Sequence, residues 1–252
     1  MKLRPLMLLL IACIGLASPL SAVKKRPHNI GLCITATGRY DQFIPELVQS
    51  ARKNFFPGDN VTFFVFTDGT IPQADDIVRI EQKRLGWPFD TLKRMHIYYS
   101  NKAHLKSMDF LFAIDADMRI EGKVDSEILS QRVATQHPGY VGQRGTYEIN
   151  PRSLAFVKAD EGKIYFCGGF WGGTTSEFLK ACNIISERID KDLSRGIIAV
   201  WHDESQLNRY FIDYPPTKVL SPSYCYPEEL KLPYKKKIVA ICKNHEQLRK
   251  AS

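Results

Sequence analysis

The segment FLFAIDADM, residues 110–118, constrains this 252-residue chain more than any other stretch. Its first five residues are apolar with no polar alternation, which suits a strand buried on both faces, as in a parallel sheet covered by helices. Such a strand cannot carry carboxylates in its middle. It can carry them at its carboxyl end, where open α/β sheets place their ligands, and Asp115 and Asp117 stand at that end. An Asp-x-Asp pair there can hold a hard divalent cation whose other positions are filled by phosphate oxygens and water. One reading is therefore a metal-bridged nucleotide site. The other is an aspartate-rich turn after a core strand, because a three-residue motif is short.

Strand and helix patterns alternate before that segment. Residues 29–35, NIGLCIT, are apolar and partly β-branched; Ala36, Thr37, Gly38, Arg39 and Tyr40 read as a loop, and Phe43, Leu47, Ala51 and Phe55 follow at helical spacing. Pro57 and Gly58 break that helix. Residues 61–66 form the next strand, 77–81 a short one, and 89–106 one helix leading into the central strand. The alternation predicts an α/β fold with a Rossmann-like, mostly parallel central sheet flanked by helices, as one domain over residues 28–252. Beyond Met118 the pieces are shorter and richer in turn residues, as far as YFCGGFWGG, residues 165–173. Its glycine pairs permit either close approach of backbone to a ligand or a tight bend. A helix is expected over residues 176–192, ended by Gly196.

Composition narrows the function class. A hydrophobic content of 44% is that of a globular chain and excludes disorder. The net charge of +8 is spread thinly, without a basic stripe interleaved with aromatics, so nucleic acid is not the expected partner; an anionic small molecule such as a nucleotide diphosphate fits that sign. Six cysteines without CxxC spacing point to buried free thiols, not a zinc site or disulfide scaffold. Lys2 and Arg4, an apolar run over 6–17 and the small residues of 17–22 give residues 1–27 the layout of a signal peptide or signal-anchor. The run is short for a membrane span of about 20 residues. The residues LIAC, ending at Cys13, also fit a bacterial lipoprotein signal. Left uncleaved, the segment would anchor the chain with its main part across the membrane.

A second constellation, Trp201-His202-Asp203-Glu204, follows an apolar stretch. Asp203 can cap the helix expected after it, which accounts for one carboxylate without chemistry. Alternatively, two carboxylates at a sugar-transfer site divide the labour. One holds donor hydroxyls, and the other acts as nucleophile or as electrostatic support for an oxocarbenium-like centre. These residues alone support either reading.

The order GRY, VFTDG, KRM, DADM, HPGY, TYE, GGFWGG, VWHDES, PTKVLSP and KNH resembles glycosyltransferase family 6 from about Ile30 to Arg249. The resemblance implies a GT-A fold and transfer of galactose or N-acetylgalactosamine, with retention, from a UDP-sugar to a galactoside on an oligosaccharide, glycolipid or other glycan. It implies Mn2+, or Mg2+, held by Asp115 and Asp117. It places the nucleotide on Thr35, Ala36, Thr37 and Tyr40, the last by stacking, with Lys243 and Arg249 closing over the diphosphate. Arg94, Cys167, Gly168, Gly169 and Asp203 correspond to the donor-sugar site, and Glu204 to the catalytic residue. His137 and Thr146 correspond to acceptor positions, with His202 grouped beside them.

Two departures qualify the resemblance. Where mammalian members place an acceptor-contacting aspartate, this chain has Pro227, followed by Glu228 and Glu229, so a different acceptor is expected. At the donor-selecting positions two glycines leave room for an acetamido group and favour N-acetylgalactosamine, although a roomy pocket rejects a smaller sugar only weakly. Because UDP-sugars occur in the cytoplasm and the Golgi lumen, a membrane-associated or secretory-pathway location is expected, or else the cytoplasmic face of a bacterial membrane. The alternative function is a carbohydrate- or nucleotide-sugar-binding protein with the same fold and weak turnover. Loss of Glu204 or of the aspartate pair would mark it, and both are present.

Overall fold

Strand β4 (Phe110–Asp115) occupies the middle of the computed structural model, which describes residues 27–249. Its side chains alternate between two apolar layers. Phe112 and Ile114 pack with α1 (Ile44–Asn54), while Leu111 and Ala113 pack with α3 (Arg94–Ser100), α5 (Thr175–Leu193) and α6 (His202–Asp213). With helices on both faces, a polar residue in the strand would be stranded without water, which is why its sequence shows no alternation.

The main sheet has the order β3-β2-β1-β4-β7-β6-β8, built from β1 (Asn29–Thr35), β2 (Asn60–Thr67), β3 (Ile77–Glu81), β6 (Arg132–Gln136), β7 (Phe166–Thr174) and β8 (Lys218–Leu220) around β4. All neighbours are parallel except β7, which runs antiparallel to both β4 and β6. This is the mostly parallel, helix-flanked sheet of a GT-A fold. The one reversal matters for the site. Register pairs Ile114 with Phe170, so the amino end of β7, with Cys167, Gly168 and Gly169, meets the carboxyl end of β4 at Asp115. Close pairing of β7 with β4 needs Gly172, where a Cβ would stand 2.8 Å from the Cα of Phe112.

A smaller sheet joins β5 (Met118–Ile120), β9 (Tyr226–Pro227) and β10 (Ile238–Ala240) in the order β5-β10-β9. Beyond β10, the Ile241 N–H donates to the Asp117 carbonyl (3.0 Å), which holds the following segment and its short α7 (His245–Arg249) beside the aspartate pair.

The single helix expected over 89–106 is three pieces: α2 (Phe89–Leu92), α3 and α4 (Lys102–Leu105). Lys93, at φ −91° and ψ 8°, and Asn101, at φ −100° and ψ 17°, leave the helical region. The Asn101 side-chain amide donates to the Ile97 carbonyl (2.9 Å), satisfying the end of α3. The break at Lys93 starts a new helix at Arg94, whose side chain is buried. The signal peptide or anchor expected over 1–27 lies outside the described residues, apart from Pro27. Among the described residues no helix is long and apolar enough to cross a membrane.

Phe112 stacks on Phe170 (5.6 Å between ring centres) and meets Phe55 edge-on (6.0 Å) directly behind the site. Replacing Phe112 by Ala is expected to cost about 3–5 kcal/mol of folding stability. Denaturant titration checks this, and a loss under 1 kcal/mol would show that the two core layers do not depend on this ring.

Candidate active site

The carboxyl ends of β1, β2 and β4 share one edge of the sheet, and the amino end of β7 enters it from the opposite direction. Arg94 sits there, 7% exposed, at the start of α3. Its Nε and Nη2 donate to Asp203 Oδ2 at 2.9 and 2.6 Å, Nη2 also donates to the Gly168 carbonyl at 3.3 Å, and Nη1 pairs with Asp115. One planar guanidinium thus joins α3, β4, β7 and α6, a use of its fixed fork of donors that lysine cannot imitate.

Asp203 does not cap α6. The chain enters the helix earlier, with Trp201 as the cap residue making no side-chain cap bond, and Asp203 lies inside the first turn at 1% exposure. Burial raises the Asp203 carboxyl above its ordinary range, and the Arg94 charge and hydrogen bonds oppose that rise. Its Oδ1 is buried without a hydrogen-bond partner, a strong acceptor still to be used.

Glu204 follows on the same turn, and its Oε2 accepts the Gly168 N–H at 2.7 Å. Burial lifts its pKa to about 7, against the pull of the Gly168 N–H, while Asp203 and Asp115 add to the rise. The glycine pair now has a physical reason. A Cβ on Gly168 would lie 3.1 Å from Arg94 Nη2 and 3.5 Å from Glu204 Oε2, whereas one on Gly169 would lie 3.2 Å from Asp115 Oδ2. Side chains at either position would fill the gap between the carboxylates.

These groups surround a cavity of about 280 Å³. Of the residues expected from sequence, Thr35, Thr37, Tyr40, Asp115, Asp117 and Lys243 line part of it. Arg94, Gly168, Gly169, Asp203 and Glu204 line the rest. Lys243 pairs with Asp117, and the helix after it is held by Arg39, which donates to the Gln247 carbonyl at 3.2 Å. The side chain of Arg249 lies outside the described part of the structure.

Five expected residues are placed elsewhere. Ala36 is fully buried behind the wall, with its N–H donating to the Phe66 carbonyl (2.9 Å). Cys167 is buried beneath the glycines, its thiol against that of Cys225. His137 and Thr146 belong to an adjoining cluster. There Thr146 shares a hydrogen bond with the Tyr140 hydroxyl (2.9 Å), and His137, its pKa lowered by burial, packs on Tyr140 and Tyr165. His202 has a left-handed backbone (φ 53°) and sets its ring 4.7 Å from that of Trp87, outside the cavity lining.

The segment leading into α2, together with the helix itself, adds residues that no sequence signal singles out. Arg84, Trp87, Asp90 and Thr91 all line the cavity. Asp90 Oδ1 accepts from the Thr37 hydroxyl (3.2 Å) and the Leu85 N–H (2.7 Å), binding this segment to the loop after β1. The only hint in the sequence is an arginine, a tryptophan and an aspartate just ahead of KRM. Glu228, beside Pro227, is also engaged: it accepts from Arg119 (2.9 Å) and from the Cys242 N–H (3.0 Å), so it fastens the segment leading to Lys243.

Asp115 and Asp117 fit a hard divalent cation on one condition. Both line the cavity, but no group of three or more His, Cys, Asp or Glu side chains suited to a metal occurs among the described residues. Two carboxylates leave most of a six-fold oxygen shell to be completed by ligand phosphates and water. The cations now beside them, Arg94 and Lys243, are placed to meet the same anionic ligand.

A family model described as glycosyltransferase family 6 matches residues 20–250. The chain is 35% identical over 246 residues to histo-blood group ABO system transferase 1 of Rattus norvegicus, covering 90% of this chain and 70% of that protein. It is 34% identical over 243 residues to globoside alpha-1,3-N-acetylgalactosaminyltransferase 1 of Mus musculus, covering 88% and 68%. To alpha-1,3-galactosyltransferase 2 of Homo sapiens it is 28% identical over 217 residues, covering 80% and 64%.

Two stability effects follow from the site itself. Arg94→Met leaves Asp203 buried without its partner and is expected to cost about 3–5 kcal/mol, with Arg94→Lys recovering only part; thermal melts of both variants check this. Folded Glu204 holds its proton up to about pH 7, against an ordinary glutamate value of 4.5, so the folded state binds the extra proton between those values. Stability therefore falls as pH rises through that window, by at most about 3 kcal/mol, and less where cavity water screens the charge. Glu204→Gln should melt higher than the parent at pH 8 and level with it at pH 4; equal melting temperatures at pH 8 would remove the claim of a strained carboxylate.

Proposed function

The chain belongs to glycosyltransferase family 6 and is a hexosyltransferase, and on that footing we propose that it moves N-acetylgalactosamine or galactose from a UDP-sugar, in α-1,3 linkage and with retention, to a galactoside acceptor. The observation that carries this reading is the Arg94 junction, which sets Asp115, Asp203 and the Glu204 turn around two glycines on one cavity. In the proposed complex the uracil stacks on Tyr40, between the threonines of the first loop, where an aromatic face suits a base. The diphosphate lies toward Asp115, Asp117 and Lys243. A divalent cation bound by the two aspartates supplies neutralisation of the charge on departing UDP. Lys243 and Arg94 add fixed positive charge to the same end.

The donor sugar lies over Gly168 and Gly169. The unused Oδ1 of Asp203 accepts a sugar hydroxyl, which orients the ring. Glu204, ionised above about pH 7, presents its carboxylate on the far side of Gly168, where it stabilises positive charge at the reacting carbon. The room over the glycines favours the larger donor, and relatives named for N-acetylgalactosaminyl transfer support that order. With Pro227 in place of an aspartate and Glu228 committed to Arg119 and Cys242, neither position offers the acceptor the carboxylate that mammalian members place there. The leader over residues 1–27 fits a membrane-associated or secretory-pathway enzyme supplied with UDP-sugars.

The test is UDP release from UDP-N-acetylgalactosamine and UDP-galactose, with and without Mn2+, against a panel of galactosides. Transfer is expected with the cation, with the larger kcat/KM for UDP-N-acetylgalactosamine; a larger value for UDP-galactose would reverse the donor order. Asp115→Asn or Asp117→Asn should lower Mn2+-dependent turnover far more than the melting temperature. Glu204→Gln should abolish transfer while still binding UDP. Wild-type protein that binds UDP yet releases none with any galactoside would instead be a nucleotide-sugar-binding protein.

A further inference from the structure

Tyr165 is the residue before β7, and its ring has no freedom to move. It is 1% exposed and packed edge-on against Tyr140 (5.0 Å), Tyr147 (4.9 Å) and His137 (5.7 Å). Gly145 lies so close that any Cβ there would overlap the ring. The Tyr165 carbonyl accepts the His137 N–H at 2.8 Å. A ring clamped in this way fixes the place of its hydroxyl, and that hydroxyl is buried without a hydrogen-bond partner of ordinary geometry. Buried tyrosine hydroxyls are seldom left so, because an unsatisfied donor costs more than a made bond returns. Glu204 Oε2 accepts from Gly168, three residues along the strand that Tyr165 leads into, so its carboxylate lies against that strand, and after burial it is the group that raises the Tyr165 hydroxyl furthest above its ordinary range.

A second fastening keeps the two side chains in a fixed relation. Asn208, 1% exposed on α6, accepts the Phe166 N–H at 2.9 Å and donates to the Phe166 carbonyl at 2.8 Å. The same amide nitrogen donates to the Glu204 carbonyl at 3.0 Å. The residue after Tyr165 is thereby pinned to the turn that carries Glu204. The Glu204 carboxylate itself is held through Oε2 by the Gly168 N–H, and a carboxylate held by one donor can still turn about that bond.

We propose that Tyr165 is a positioning residue: its hydroxyl donates to the Glu204 carboxylate and sets the plane of that group against the donor sugar. The proposal rests on the reading of Glu204 as the reacting carboxylate. It gives the His137, Tyr140 and Tyr147 cluster a purpose, since those rings brace Tyr165.

Tyr165→Phe removes one oxygen and keeps the ring. The experiment measures UDP release from both UDP-sugars with Mn2+, to water and to lactose, for wild type, Tyr165→Phe and Glu204→Gln, together with UDP binding by calorimetry and the melting temperature. Tyr165→Phe is expected to lower kcat by about 10- to 100-fold while both KM values and UDP affinity stay within about twofold. A kcat within twofold of wild type, beside an inactive Glu204→Gln, would overturn the proposal and leave the role of Glu204 standing. A loss confined to the KM for lactose would also overturn it, making Tyr165 an acceptor contact. An active Glu204→Gln would instead sink the reading on which the proposal rests.

Discussion

The guanidinium of Arg94 is the interaction on which the rest of the site depends. It is almost fully buried, and its partners come from a strand end, a helix turn and a strand beginning that are far apart in sequence. Burying a cation is costly unless its hydrogen bonds are satisfied by opposite charge, and here Asp203 and Asp115 meet that requirement. Arg94 serves two carboxylates and Lys243 pairs with Asp117, so with Glu204 and Asp90 the cavity wall carries more carboxylates than cations. That surplus suits a ligand brought in with a cation; burial first, and then the charges of Asp203 and Asp115, lift Glu204 to near neutrality.

The sheet supplies the stage for this junction. Parallel strands gather their carboxyl ends on one edge, and the single antiparallel strand, β7, brings its amino end to the same edge. At that edge the Gly168 N–H donates to Glu204 and the Gly168 carbonyl accepts from Arg94, so one residue of the reversed strand joins both. Glycine suits the position because a Cβ there would crowd both Arg94 Nη2 (3.1 Å) and Glu204 Oε2 (3.5 Å).

Much of this was legible in the sequence because it obeys short-range rules. Residues 110–114 read as a strand covered on both faces, and they are that; the first two strands and the helices α1 and α5 show the expected periods. The family resemblance added Tyr40, Lys243 and the glycine pair, which do line the cavity. What escaped depends on contacts with no sequence period. The helix break at Lys93 follows from Arg94 turning inward, Asp203 is drawn from a capping role by that same arginine, and the segment of Arg84 and Trp87 reaches the cavity through Asp90. The resemblance put Cys167 at the donor-sugar site, yet it is a buried core thiol, as the cysteine pattern implies.

The small sheet gives the molecule an order of completion during synthesis. β5 follows directly on Asp117, but its partner β10 is residues 238–240, and Lys243 follows that strand. A nascent chain that has emerged through β7 can already pair β1, β2, β4 and β7, and Arg94 can already meet Asp115. Asp203 and Glu204 arrive next, and the cation facing Asp117 arrives after every other part of the cavity wall except Leu248. The sheet, the aspartate pair and Glu204 therefore all precede the cation that answers Asp117: a chain ending before residue 238 would lack both β10 and Lys243.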